Sequence, residues 1–482
     1  MKLSQLFNFK QNTNQRIKAR YDAAQTNSDN VRHWSAADGL SADMATAFEV
    51  RKTLRERSRY EVANNSYAKG LVQMLANDTI GTGPRLQMLT ANEEVNSRAE
   101  RDFQQWAEHI RLSGKLRTMR MTRCQDGEVF AIISTNPKVK SGVKIDLMLI
   151  EADRVTDNTY NLRDLSRENI IDGIKYDDYG NPVSYRVLRY HPGDYTVFKP
   201  DDVIVVPAEY MIHVFQQDRP GQHRGVPEIT AALPLFAQLR RYNSAVLSAA
   251  EAAASFAAVL YTDAPPDGET EALEPLDTVP LQRNTMVTLP GGWKLGQLDP
   301  KQPTANHSEF VKIILSEISR CVCATYGSVA GDYSGFNYAS GRLDNQLYHK
   351  AVLVDRSNWE SEVLNPLFDV WFKEYRLANS QLFNSADFDD FSESHTWFWD
   401  GFLHVDPYKE ANAQEKRLNN NTTTLAAECA KDGRDYMTTL KQRARELKIM
   451  GELGIPLSGS DSSAAPDNKS NKQTEEDMED GE

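Results

Sequence analysis

The chain has 482 residues, 55 basic and 68 acidic, for a formal charge of −13, with 40% hydrophobic and 26% charged side chains. Such a length supports roughly two to four domains and an ample core, and the composition excludes a disordered or collagen-like chain. The excess of acid excludes a protein that grips DNA or anionic membrane through a general surplus of Lys and Arg.

The acidity is uneven. Residues 461–482 hold 8 acids and 2 bases and residues 261–310 hold 8 and 3, whereas residues 1–60 hold 11 bases and 6 acids. Four cysteines (Cys124, Cys321, Cys323, Cys429) are too few for a disulfide framework and indicate a reducing compartment. Met1–Lys10 lacks an apolar run of signal-peptide length. Half of the 16 residues of Ser244–Val259 are Ala, but Glu251 and three serines interrupt them. A span needs about 20 apolar residues, so a soluble protein made in the cytosol is expected, with no membrane partner.

In chain order, residues 1–40 are polar and read as an arm without its own core. A helical pattern over Ala45–Ala63 carries Arg51, Lys52, Arg55, Arg57 and Arg59, read as a solvated face or as a surface for an acidic partner. Tyr67, Leu71, Met74 and Leu75 predict a second helix, ended by Gly81-Thr82-Gly83-Pro84. Phe103 and Trp106 mark a third, closed at Ser113-Gly114, after which the pattern turns to strands. These fall at Val129–Thr135, Val143–Ile150, Ile171–Tyr176, Val183–Leu188, Val203–Val206 and Met211–Phe215, with a hairpin turn at Asp177–Pro182.

Pro234 to about Leu260 contains no other Pro and no Gly and predicts a long Ala-rich helix opened by a proline. Its small side chains suit packing against another subunit or a place in the chain's own core. Residues 261–310 are acidic and rich in proline, with strands expected at Thr285–Leu289 and Lys294–Leu298. Ser308–Thr325 is helical, with Phe310, Ile313, Ile314, Ile318 and Val322 at core spacing. A Gly-, Ser- and Tyr-rich loop, Tyr326–Arg342, precedes a helix from about Leu343 to Arg376 that Pro366 should kink or divide. Asp406-Pro407 opens a further helix and Leu440–Met450 a last one. Residues 457–482 have almost nothing apolar and read as disordered.

Catalytic patterns are mostly missing. Gly114-Lys115 is followed by Leu116 and preceded by His109 where a phosphate loop needs Gly, and Gly81-x-Gly83 lacks a third glycine. That absence excludes an ATPase built on a Walker-type loop. Cys321-Val322-Cys323 has no second pair and reads as buried structure inside a helix rather than metal ligation. His213, Asp218 and His223 could form a hydrolytic triad, although no G-x-S-x-G turn accompanies them.

Several stretches taken together point to a family. They are Trp34–Asp38, Leu54–Arg59 leading to Asn64–Gly70, Ile80–Gly83, Asp126-Gly-Glu-Val-Phe130 and Gly180–Tyr185. Later come His213-Val-Phe with Arg219-Pro-Gly-Gln-His-Arg-Gly-Val-Pro227, Asn337–Arg342, Val405–Pro407 and Lys431–Asp435. In order and spacing the chain resembles the lambda family of tailed-bacteriophage portal proteins. Ala339 departs from the family's Ser-Ser pair before the Arg.

The resemblance implies an α+β, portal-like fold. Residues 1–49 would be an N-terminal arm and 50–226 a mixed wing. Residues 227–260 and 306–325 would be two stem helices flanking a β-containing clip, 261–305. Residues 326–342 would form the tunnel-loop region, 343–405 a long helix and return to the wing, 406–456 a helical crown and 457–482 a disordered acidic tail. It implies no enzyme activity, cofactor or metal, but a ring of about twelve copies at one capsid vertex. Double-stranded DNA would pass through it. The terminase large subunit, a head-completion or neck adaptor, and the major capsid and scaffolding proteins would dock on it, in the host cytoplasm during assembly and then in the virion. Candidate channel residues are Tyr333, Asn337, Tyr338 and Arg342. Inter-subunit candidates are Ala249, Ala250, Ala253 and Ala254, and clip docking candidates are Asp267, Glu269, Glu271 and Glu274.

Overall fold

The computed structural model describes residues 31–156, 169–194, 202–255, 259–262, 293–296, 307–383, 395–402 and 406–455. After one short turn, α1 (Ala42–Ala45), the first long helix is α2 (Phe48–Asn64). Its basic run is not a solvated face. Arg51, Arg55, Ser58 and Glu61 are buried, at the spacing of one helix side, while Lys52 and Arg57 stay exposed. A buried guanidinium needs a carboxylate, and the acids come from later elements of the same chain. α3 (Ser66–Ile80) begins at the Asn65 cap and stops at Gly81, as the punctuation predicts, before β1 (Arg85–Met88) and α4 (Glu93–His109).

Arg111, at φ 54°, breaks α4 from α5 (Leu112–Asp126). The expected stop at Ser113-Gly114 lies inside the first turn of α5, a helix that periodicity did not reveal. The reason is chemical: Leu112, Leu116 and Met119 share the buried side with Arg120, Arg123 and Asp126. The apolar period therefore fades halfway along.

β2 (Glu128–Thr135) is central to an antiparallel sheet with β3 (Ile145–Ile150) and, further on, β8 (Met211–Phe215). Between them β4 (Ile170–Ile171), β5 (Ile174–Tyr176), β6 (Pro182–Leu188) and β7 (Val203–Pro207) form a second antiparallel sheet in chain order. Val129, Ala131 and Ile133 enter one core and Phe130 and Ile132 another, which is why β2 reads as an unbroken apolar run. In the β5–β6 hairpin the Asp177 carboxylate accepts hydrogen bonds from the Tyr179 and Asn181 amides at 2.9 and 2.8 Å.

α6 (Leu233–Ser255) ends before the expected Leu260, because Val259 and Leu260 belong to β9 (Val259–Thr262). β9 pairs antiparallel with β10 (Trp293–Gly296), so the acidic insertion leaves and returns through a two-stranded ribbon. The expected strand Thr285–Leu289 and the acids Asp267, Glu269, Glu271 and Glu274 lie outside the described residues, as do residues 1–30 and 456–482. α7 (His307–Cys321) buries Ile314 and Ile318 but leaves Phe310 and Ile313 exposed, against the core spacing read from the sequence. Cys323 is exposed at φ 55°, so the C-x-C pair straddles a helix end rather than lying in an apolar helix.

The expected loop over Tyr326–Arg342 is mostly helix. α8 (Tyr326–Ala330) and α9 (Tyr338–Trp359) leave only Gly331–Asn337 between them, and Asn337 and Ser340 cap α9 reciprocally. A widened i→i+5 turn, Glu360–Leu364, joins α9 to α10 (Asn365–Ala378) and takes the place of a kink at Pro366, which sits in the first turn of α10. β11 (His395–Phe398) returns to pair with β1. α11 (Pro407–Asn419) starts at the Asp406 cap, α12 (Leu425–Lys431) was not foreseen, and α13 (Tyr436–Glu452) ends the described chain. The largest core gathers aromatic residues from α4, α10 and β11, with Phe103 ring-to-ring 5.0 Å from Trp371 and 5.5 Å from Trp397. The α+β class read from the sequence holds. Among the described residues no helix is long and apolar enough to cross a membrane.

Candidate functional site

The first feature is an ionic frame between α2, β2 and the loop before α6. Glu128 on β2 is buried and takes Arg224 on both oxygens (2.7 and 2.8 Å) and His213 at 3.1 Å. Arg55 stands 3.7 Å away and pairs with Asp153 at 2.8 Å. Arg51 pairs with Asp172 at 2.8 Å, and Arg59 bridges Asp126 and Asp153 at 2.7 Å each. Four guanidinium groups thus meet four carboxylates. Burial alone would push the Glu128 carboxyl up, but Arg224 and the His213 hydrogen bond hold it well below the carboxylate range. Burial depresses His213 despite its Glu128 partner.

A second closed group ties α5 to α9. Arg120 and Arg123 each bridge Glu228 (3.0 and 2.6 Å) and Asp355 (2.7 Å each), and Asp355 also accepts the Thr79 hydroxyl at 2.9 Å. Burial works against both acids, yet the paired arginines keep them low. Two glycines allow the loop bearing Arg224 to lie against β2. A Cβ on Gly127 (φ 93°) would stand 2.3 Å from the Val226 carbonyl carbon, and one on Gly225 would stand 2.2 Å from the Gly127 oxygen. The Asp126-Gly-Glu and Arg-Gly-Val-Pro stretches are therefore two halves of one joint.

α6 and α7 lean on each other along a narrow seam. Tyr242 of α6 stacks on His307 and packs against Phe310 of α7, with centroids 5.2 and 4.7 Å apart. Outside the seam, Leu247 is 61% and Ile313 59% exposed, and Phe310 within it keeps 45% of its surface exposed. Ala249 is exposed and Ala250 half-buried, and the side chains of Ala253 and Ala254 lie outside the described residues. In the Gly331–Asn337 loop Tyr333 packs over Gly327, where a Cβ would meet its ring at 2.5 Å. Asn337 is a cap, Tyr338 lies under Lys409 Nζ at 4.8 Å, and Arg342 is exposed on α9. The four channel candidates thus lie on one loop and the helix start that follows it.

The hydrolytic candidates do not assemble. His213 is held by Glu128 between the Phe130 and Phe215 rings. His223 is held by Asp43 at 2.7 Å, and the Asp218 carboxylate accepts from Gln216 at 3.3 Å. His213 and His223 line an open cleft of about 690 Å³ that Asp218 does not enter. Glu151, Asp153 and His191 also lie close together. However, Asp153 is taken by Arg55 and Arg59, and His191 Nδ1 accepts the Gly193 amide, which leaves the proton on Nε2. That is an ion network rather than a ligand set.

Sequence reading missed Arg120, Arg123, Glu228 and Asp355 altogether. It quoted Glu128 and Arg224 only inside motifs, although both stand beside a glycine that signals close backbone approach.

The molecule thus combines closed ionic groups with apolar side chains exposed on α6 and α7. Residues 28–354 match the family model described as phage portal protein, lambda family, and the chain belongs to that family. It is 24% identical over 449 residues to the probable portal protein of Halomonas phage phiHAP-1, covering 88% of this chain and 85% of that protein. To the portal protein of Escherichia phage N15 it is 22% identical over 439 residues, covering 80% and 82%. Among solved structures, the neck of an empty gene transfer agent particle computed with C6 symmetry superposes with TM-score 0.47 at 13% identity, over 77% of this chain and 91% of that one. A chain of a native gene transfer agent virion gives TM-score 0.44 at 12% identity, over 80% and 93%.

Proposed function

We propose that the chain forms a ring of about twelve copies at one capsid vertex, through which double-stranded DNA is packaged and later ejected, and that it acts without enzymatic chemistry. The observation that carries this reading is the family match over residues 28–354, which takes in α2 through most of α9. Apolar side chains left bare on α6 and α7 support it, because exposed apolar patches on a helix pair mark a surface awaiting a partner. Ala249, Ala250, Ala253 and Ala254 would bring neighbouring stems close. Tyr333, Asn337, Tyr338 and Arg342 would line the channel. Asp267, Glu269, Glu271 and Glu274 would face the terminase large subunit during packaging and the neck adaptor afterwards. Capsid and scaffolding proteins would contact the wing during assembly in the host cytoplasm, and the finished ring would stay in the virion.

Charge fits a conduit better than a binder. Each Lys or Arg paired with a phosphate adds salt-dependent affinity, and hence drag on moving DNA. The frame arginines are instead consumed by acids of the same chain. Negative-stain images of the purified protein test the reading: it predicts rings with a central hole, and a monomer under all conditions would overturn it.

A further inference from the structure

α13 packs through one side only. Thr439, Glu446 and Met450 are half-buried, whereas Leu440, Ala444 and Leu447 form an exposed stripe. Beside that stripe, at about 100° per residue, Lys441, Arg445 and Lys448 fall within about 60° of one another. Lys441 reaches Glu93 at 3.8 Å in an exposed pair, and Glu452 ends the same side. Among the described residues Arg445 and Lys448 have no ion-pair partner.

The chain beyond α13 is complementary. Residues 461–482 hold 8 acids against 2 bases, densest at Glu475-Glu476-Asp477 and Glu479-Asp480. We propose that this acidic terminus folds back onto the Lys441–Arg445–Lys448 stripe of its own α13 and covers it. Chain length favours the contact. The 19 steps from Pro456 to Glu475 are rich in Ser and Asn, and a coil of that length has an end-to-end distance of about 24 Å. At 1.5 Å per residue the stripe lies roughly 12–23 Å back along the helix from the level of residue 456. A linker matched to its span holds its end at a roughly millimolar effective concentration, which an exposed ion cluster needs because its individual pairs are weak. The contact lies within one chain and needs no ring.

The test is the fluorescence anisotropy of a trace of labelled peptide of residues 457–482 in low salt, titrated to several hundred micromolar with a chain ending at Pro456 and, separately, with the full chain. The peptide should bind the shortened chain, be released by salt, and gain no anisotropy on the full chain, whose own terminus occupies the stripe. The triple variant Lys441→Gln, Arg445→Gln, Lys448→Gln of the shortened chain should lose the peptide while keeping its unfolding midpoint. Three results would overturn the proposal: no binding to the shortened chain, binding undiminished in the triple variant, or equal binding to the full chain. Duplex DNA binding the shortened chain where the peptide does not would assign the stripe to nucleic acid instead.

Discussion

The ionic frame and the α6–α7 pair use side chains in opposite ways. In the frame, Arg51, Arg55, Arg59 and Arg224 are matched by acids within the chain. Along α6 and α7, Leu247 and Ile313 stay exposed among the described residues, and Phe310 keeps 45% of its surface exposed beside Tyr242. The contrast separates side chains that hold the fold from side chains that the fold does not use. Exposed ion pairs contribute little, but an unpaired buried charge costs several kcal/mol, so folding should depend steeply on the frame and hardly at all on the exposed side chains of α6 and α7.

The largest expected effect follows from leaving cations stranded. Glu128→Ala removes the shared partner of Arg224, Arg55 and His213 and should cost about 3–5 kcal/mol, read as a lowered urea midpoint. Next comes the glycine joint. Gly225→Ala places a Cβ against the Gly127 carbonyl and should cost about 1–3 kcal/mol by overpacking, measured the same way.

Acid titration gives a third effect. Glu128, Glu228 and Asp355 are held below their ordinary values of 4.5, 4.5 and 3.8. Their contribution is therefore complete above those values and is lost as pH falls below them. His213 is depressed from 6.5, so the unfolded chain takes up its proton first, and stability should begin to fall just below pH 6.5. A midpoint that rises on acidification from neutrality would contradict the frame. The smallest effect is expected at Arg342→Ala, within about 0.5 kcal/mol of the parent, because Arg342 is exposed and, among the described residues, has no ion-pair partner.

The same contrast governs what could be read from sequence. Where a core is apolar the pattern is legible: β2 as a run buried on both faces, the Asp177 hairpin, the Asp406-Pro407 helix start. Where the buried surface is ionic it is not. α5 hides because Arg120 and Arg123 occupy positions that a periodicity search reserves for Leu, and the α2 arginines pass for a solvated face because their acids lie 67 to 121 positions further along the chain. The helix at Tyr338 was masked by Gly, Ser and Tyr composition, although Asn337-x-x-Ser340 is a capping pair. Phe310 and Ile313 carry core spacing because they are apolar at helical intervals, and spacing alone does not say whether the covering surface belongs to the same chain.

The most direct test is the mass of the Leu247→Asp, Ile313→Asp variant by light scattering, beside its unfolding midpoint. The parent should run near twelve times 54.4 kDa, about 650 kDa, and the variant as a folded 54.4-kDa subunit with an unchanged midpoint. A variant that still forms the ring, or one that unfolds as the Glu128→Ala chain does, would contradict the division between a self-contained ionic frame and an α6–α7 pair open to a neighbouring copy.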